Sequence, residues 1–124
     1  MSRFTIRTGT PTEFFQRGRM IAQLVDQSKP ISAESIITYE DPEDVLKLLT
    51  AGRLALFRAI KDQPGSISAI SRRLHRDRDA VKRDVDQLAK VGLVIIESRV
   101  LPGHGRIKEV SVAAQQFRLE VMFA

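Results

Sequence analysis

The sequence lacks cysteine and tryptophan, and its only histidines are His75 and His104. Without cysteine the chain has no disulfide, no thiolate metal site and no thiol nucleophile. Two histidines also disfavour a metal site built from imidazole ligands. We therefore expect no metal ion and no cofactor, so the packing of side chains has to stabilise the fold.

Long hydrophobic runs are missing as well. No apolar stretch approaches the roughly 18 residues that cross a bilayer, and the first residues contain no hydrophobic core of a secretion signal. No Ser-His-acid set, phosphate-binding loop or group of metal ligands stands out. We expect a cytoplasmic protein that is not an enzyme and has no membrane contact. Its 124 residues, 43% of them hydrophobic, suit one compact domain with a modest appendage.

Positive charge is concentrated in the second half of the chain. The net charge is +5, and residues 1–65 contribute only +1 of it, from nine Lys and Arg against eight Asp and Glu. Residues 66–124 contribute +4, from eleven against seven. Residues 72–83 alone carry six basic side chains and two acidic ones. Such a concentrated positive field attracts polyanions.

The N-terminal part is predicted to form a strand, a helix and a second strand. Apolar and polar residues alternate around residues 4–6, which is typical of a short strand. Thr12 is expected to cap a helix over residues 13–27, which Pro30 ends. Residues 35–40 predict the second strand.

Helix-capping residues mark three helices in the middle of the chain. Asp41 followed by Pro42 is a strong helix start, because the carboxylate accepts from free N–H groups and proline suits the first helical position. Thr50 and Ser68 are expected to cap the next two helices. The three helices are expected to end at Leu49, Asp62 and Leu74.

The stretch "HRDRDAVKRDVDQLAKVGLV", residues 75–94, combines dense charge with a helical period. Val81, Val85 and Leu88 recur at positions i, i+4 and i+7, which predicts a buried stripe. Asp77 is expected to cap this fourth helix, and a glycine after it supplies the C-terminal stop.

After this helix the pattern changes to that of strands. Residues 93–100 and 106–113 are predicted to pair across a glycine-rich turn that contains His104. Helices followed by a hairpin give the order of a winged helix-turn-helix, so we predict an α+β fold of that kind. The predicted regions are an N-terminal extension at 1–41, the winged helix-turn-helix at 42–113 and a C-terminal strand or tail at 114–124.

A helix that enters the major groove shows basic side chains near its N-terminal end while its opposite face packs in the core. The helix capped by Asp77 has this pattern, and arginine suits both guanine edges and phosphates. We predict contacts with double-stranded DNA from this helix, the preceding helix and turn, and the hairpin: Arg72, Arg73, Arg76, Arg78, Lys82, Arg83, Arg99, Arg106 and Lys108.

Two alternatives stay open for these basic residues. One is that the helix only presents a solvated face, since pairs such as Asp79 with Arg83 or Lys82 with Asp86 stabilise a helix by themselves. The hairpin tip is equally consistent with a plain exposed turn.

Apolar side chains near both ends of the chain predict a homodimer or partner contact. The alternative is that they simply form core. The residues concerned are Phe4, Ile6, Phe117, Leu119, Val121 and Phe123.

Three segments resemble a family of predicted prokaryotic transcriptional regulators with a MarR-like winged helix, which is often found beside toxin genes and is considered antitoxin-like. These segments are "EDPEDVLKLLTAGRLALFRAI", "SISAISRRLHRD" and "AVKRDVDQLAKVGLV", within residues 40–94. Arg83, Asp84 and Val85 match the family's Arg-Asp-Val, and "FTIRTGTPTEFF" is similar to its N-terminal strand and helix. The resemblance implies a DNA-binding regulator.

Two functions remain in competition at this point. The first is a sequence-specific transcriptional regulator, acting as a homodimer and autoregulating its own gene. The second is an antitoxin-like interaction module that binds a toxin or another protein, with DNA binding secondary or absent.

Overall fold

The computed structural model describes residues 2–26, 34–103 and 105–123. It is a mixed α+β structure, which confirms the predicted class. No helix in these ranges is long and apolar enough to cross a membrane. The elements follow the order β1 (Arg3–Thr8), α1 (Pro11–Asp26), β2 (Glu34–Tyr39), α2 (Pro42–Leu48), α3 (Ala51–Asp62), α4 (Ile67–Leu74), α5 (Arg78–Lys90), β3 (Val94–Leu101), β4 (Gly105–Val112) and β5 (Gln116–Glu120).

The chain forms two compact units. We call Met1–Lys47 with Ala114–Ala124 the sheet unit, and Leu48–Ala113 the helical unit. The sequence predicts a domain boundary before Pro42 and a separate C-terminal segment at residues 114–124. The structure places the boundary inside α2 and joins the tail to the N-terminal part, because β5 pairs with β1.

The sheet unit contains three parallel strands in the order β2–β1–β5. Phe4 of β1 lies beside Phe117 of β5, with the ring centroids 6.1 Å apart and the rings stacked. Ile6 lies between Ile37 and Leu119. Both Phe4 and Ile6, on the central strand of this sheet, are buried. Strand β5 is one edge of this sheet and β2 is the other.

Helix α1 begins at Pro11, so the prediction that Thr12 caps it was wrong. Thr10 Oγ1 accepts from the Glu13 N–H at 3.2 Å, and Glu13 Oε2 accepts from the Thr10 N–H at 3.0 Å. This reciprocal capping box precedes a proline at the first helical position, where the missing N–H is not needed. The predicted helix end at Gln27, Pro30 and the turn residue His104 lie outside the described residues.

Three of the predicted caps are confirmed. Asp41 Oδ1 accepts from the Glu43 N–H at 2.9 Å, Thr50 Oγ1 accepts at the start of α3, and Asp77 accepts at the start of α5. The α4 cap was predicted wrongly, since Ser66 Oγ, and not Ser68, accepts from the first turn at 3.1 Å.

In the helical unit, three helices are followed by a hairpin. Strands β3 and β4 pair antiparallel, and Gly65, just before α4, exchanges backbone hydrogen bonds with Val110 of β4 at 2.8 and 3.2 Å. Gly92 ends α5 with a φ of 87°, a value that glycine adopts without strain. The buried hydrophobic side chains of this unit are Leu48, Leu56, Phe57, Ile60, Ile70, Val81, Val85, Leu88, Leu93, Val94 and Val110.

Candidate nucleic-acid interface

Helix α5 is anchored by the apolar stripe that its sequence predicted. Val81, Val85 and Leu88 have no exposed surface. The helix packs against α3, α4 and β3 through this side. Its opposite side therefore faces outward from a fixed position within the helical unit.

A charged cluster holds α5 to the rest of the unit. Asp84 Oδ1 accepts from Arg53 Nε of α3 at 3.1 Å, and Asp84 Oδ2 accepts from Arg76 Nη2 of the α4–α5 turn at 2.8 Å. The Asp84 side chain is only 17% exposed. Its burial by itself raises the pKa, but the hydrogen bonds and charges of Arg76 and Arg53 outweigh this and hold the pKa of the Asp84 carboxyl below its ordinary value. The cluster thus ties α3, the turn and α5 together.

Arg73, predicted to grip phosphate, bonds within its own unit. It donates from Nη1 to the Ala59 carbonyl at 3.3 Å and from Nη2 to the Gln63 carbonyl at 2.7 Å. These carbonyls lie at the C-terminal end of α3, where such groups lack helical partners. Arg73 therefore caps α3, and Arg76 belongs to the Asp84 cluster, so the guanidinium groups of both already have protein partners.

The predicted residues of α5 itself, Arg78, Lys82 and Arg83, are all exposed. Arg78 Nε donates to Ser68 Oγ at 2.9 Å, and Lys82 Nζ forms an exposed ion pair with Asp86 at 2.9 Å. Arg83 is exposed and has no hydrogen-bond or ion-pair partner within the described ranges. The Lys82–Asp86 pair is one of those expected for a solvated face, whereas Arg83 is not engaged in such a pair.

The preceding helix and the hairpin add further exposed cations. Arg72 on α4 and Arg106 and Lys108 on β4 are exposed, and the described part of the chain provides none of them with a partner. Arg99 of β3 contacts Glu109 across the hairpin at 3.4 Å. Of the nine predicted DNA contacts, those that keep their cationic groups clear of protein partners are Arg72, Arg83, Arg106 and Lys108.

The roles of Arg53 and Asp84 in positioning α5 were not predicted from the sequence. A signal was present, because Asp84 lies three residues after Val81 and four before Leu88, which places a carboxylate on the buried side of the helix. A carboxylate there requires a cationic partner. The sequence did not show which arginines would supply it.

The predicted dimer or partner residues divide into two groups. Phe4 and Ile6 are buried inside the sheet unit, so they are core and do not offer a contact surface. Phe117 and Val121 are half-buried, whereas Leu119 and Phe123 are exposed.

Comparison with protein families finds one family model, HVO_A0114, which matches residues 48–118. This match covers more than half of the chain and contains the whole helical unit. The chain belongs to the HVO_A0114 family. A comparison with curated proteins finds no match.

A solved structure named "Possible transcriptional regulator from Methanosarcina mazei Go1" is also similar, at 25% identity and a TM-score of 0.49. The match covers 59% of this chain and 66% of that one. The chain thus spans just under two thirds of the length of that structure.

Proposed function

We propose that this HVO_A0114 family member is a sequence-specific, DNA-binding transcriptional regulator and not an enzyme. In this proposal the helical unit is a winged helix-turn-helix of the MarR-like kind. Helix α5 enters the major groove, and the β3–β4 hairpin is the wing. The protein acts as a homodimer that binds two half-sites and autoregulates its own gene.

The observation that carries the proposal is the outer face of α5 opposite its buried stripe. Arg83 lies in the N-terminal half of this helix with its guanidinium accessible, while Val85 on the other side is fully buried. A rigid helix with an accessible arginine near its N-terminal end meets the requirement for reading base edges or gripping phosphates. The Asp84 cluster fixes the orientation of that face.

Accessible cations of neighbouring elements extend the proposed surface. Arg72 lies on the helix before the turn, and Arg106 and Lys108 lie on the hairpin. Each removes one counterion from DNA when it contacts a phosphate, so affinity falls steeply as salt increases. Arg73 and Arg76 act differently in this proposal, as residues that hold the unit together.

Substitution of Arg83 tests the proposal directly. The binding of the protein to a duplex from the promoter region of its own gene is measured by fluorescence anisotropy at several salt concentrations. If Arg83 contacts a phosphate, Arg83→Ala weakens binding and reduces the slope of log K against log salt by about one. If Arg83 contacts a base, the variant loses discrimination between this duplex and an unrelated one.

Lys90→Ala is the matched control. Lys90 lies on the same face of α5, seven residues further along, which is about 10 Å towards the C-terminal end. We expect a smaller effect there, since the N-terminal part of a recognition helix makes the base contacts. Equal affinities of the native chain and Arg83→Ala, at every salt concentration, would remove α5 from the proposed interface.

The surface of α1 favours a second candidate function, the antitoxin-like binding of a toxin or other protein. Phe15, Met20 and Ile21 on this helix are all exposed. Contiguous exposed apolar patches mark surfaces that bind another protein, and these three side chains are candidates for such a patch. Co-expression with the product of the adjacent gene tests this candidate: a stoichiometric complex that Met20→Glu abolishes supports it, and recovery of the chain alone contradicts it.

A further inference from the structure

Strand β5 is an open edge of the parallel sheet. The N–H of Gln116 donates to the Ser2 carbonyl at 3.1 Å, and the N–H of Met122 donates to Thr8 Oγ1 at 2.9 Å, so both point towards β1. Backbone groups alternate in direction along a strand, and those of Leu119 therefore point to the outer side. No other strand lies beside β5 on that side within the described ranges. An edge of this kind is a template for pairing with another chain.

The side chains of β5 restrict how a second copy of the strand can pair with it. Around a two-fold axis, outward-pointing residues have to meet outward-pointing residues, so the axis passes through a residue and not between two. At the charged segment of β5 that residue is 118, 119 or 120. An axis at Arg118 or at Glu120 places that charged residue opposite itself. An axis at Leu119 instead places Arg118 of each copy opposite Glu120 of the other.

We propose that β5 pairs antiparallel with β5 of a second copy, with Leu119 on the two-fold axis and two Arg118–Glu120 ion pairs across it. The sheets of the two copies then join into one continuous sheet. Arg118 is exposed and Glu120 is half-buried, and the two form an ion pair within the strand at 3.1 Å, so the same two groups are available for exchange between copies. Opposite charges directly across an antiparallel pair stabilise it, and like charges destabilise it.

Exposed apolar side chains in and just after β5 also favour a second copy of this chain as the partner. Leu119 is 51% exposed, Met122 68% and Phe123 72%. In the proposed register Leu119 lies opposite Leu119, Met122 opposite Gln116 and Phe123 opposite Gln115 of the second copy, so each of these apolar side chains gains a neighbour. The surface therefore fits a copy of this chain in both charge and hydrophobicity.

The opposite edge of the sheet lacks this self-complementarity. Glu34 begins β2 and Glu40 directly follows it, so the charged residues at this edge are both acidic. Antiparallel pairing of two copies of β2 thus offers no pair of opposite charges in any register. The charge pattern selects β5 over β2.

Exchange of the charges at positions 118 and 120 tests the proposed register of the two β5 strands. Analytical ultracentrifugation of the full chain over a range of concentrations gives the dimer Kd. Arg118→Glu and Glu120→Arg each replace two attractive pairs by repulsive ones, and we expect each to raise the Kd about tenfold or more. The double variant Arg118→Glu/Glu120→Arg restores the pairs, so its Kd returns to near that of the native chain.

Two further variants separate pairing from folding. Leu119→Pro removes an N–H that points outward and not to β1, so we expect loss of the dimer with unchanged far-ultraviolet circular dichroism. Ser35→Arg is the control on β2 and leaves the Kd unchanged. A native chain that is monomeric at all concentrations overturns the proposal, and so does a double variant that dimerises as weakly as the single ones.

The proposed β5 pairing rests on the homodimer in the proposed function. Experiments can nevertheless contradict the β5 pairing and the DNA-binding function independently of each other. A monomer that still binds the promoter duplex contradicts the β5 pairing and leaves DNA binding in place. A dimer that responds to the charge exchange but does not bind DNA supports the pairing and contradicts the regulator.

Discussion

The helical unit and the sheet unit are stabilised in different ways. The helical unit is continuous in sequence, its helices carry their own caps, and fully buried side chains such as Ile60, Ile70 and Leu88 fill its core. The sheet unit is made from the two ends of the chain, which meet where Gln116 donates to the Ser2 carbonyl. None of the α1 side chains that the structure describes is buried.

This difference matches the two roles that we propose. A closed core and the Asp84 cluster hold α5 rigidly, as a groove-reading helix requires. An open sheet edge with exposed apolar groups suits assembly with another chain. Dimerisation and DNA binding would then be properties of separate units.

Removal of a core side chain from the helical unit should have the largest effect. Leu88 has no exposed surface, so Leu88→Ala leaves a cavity, and we expect a loss of about 3 kcal/mol in the free energy of unfolding. Leu46→Ala in the sheet unit is the matched control, since Leu46 is exposed, and should cost less than about 0.5 kcal/mol. Urea titration followed by circular dichroism measures both. Equal losses would contradict the complete burial of the Leu88 side chain in the core of the helical unit.

Loss of the charge on Asp84 should have the next largest effect. Asp84→Asn weakens the bonds to Arg53 and Arg76 and leaves two partly buried cations without their counter-ion, so we expect about 2 kcal/mol of destabilisation. Asp86→Asn removes only an exposed pair within one helix, worth about 0.3–0.5 kcal/mol. If Asp84→Asn were as mild as Asp86→Asn, the cluster would not be what holds α5.

A smaller effect is expected at low pH, where the Asp84 cluster should contribute less to the free energy of unfolding. The pKa of Asp84 is lower in the folded chain than in the unfolded one. Its stabilising contribution is therefore complete above about pH 4 and is lost as the pH falls through the lowered folded pKa. The difference in unfolding free energy between the native chain and Asp84→Asn should narrow over that range. A difference that stays constant there contradicts the lowered pKa.

Local signals in the sequence explain why the helical unit could be predicted more completely. The caps Thr50 and Asp77 and the stripe of Val81, Val85 and Leu88 depend on residues a few positions apart, and all are present in the structure. The α4 cap was misplaced by two residues because Ser66 and Ser68 are both good capping residues. The bridge from Gly65 to β4 decided between them, since it holds the chain extended up to Ser66.

The arrangement of the sheet unit depends on contacts that are distant in sequence. The residue patterns of β1, β2 and β5 predicted strands, but they contained no information on the order of the strands in the sheet. Phe4 was predicted to offer either core or a contact surface, and its burial between β2 and β5 settles this as core. The roles of Arg73 and Asp84 could not be predicted for the same reason, because Arg73 bonds to carbonyls at the end of α3 and Asp84 bonds to Arg53 of α3.

The most direct test of the account is to map the surface that meets DNA. An NMR titration of the ¹⁵N-labelled chain with a duplex from its own promoter reports the amide groups whose signals change. We predict the largest changes in residues 78–83 of α5, with smaller ones near Arg106 and Lys108, and little change in the sheet unit. Changes confined to the sheet unit, or none at saturating DNA, would contradict it.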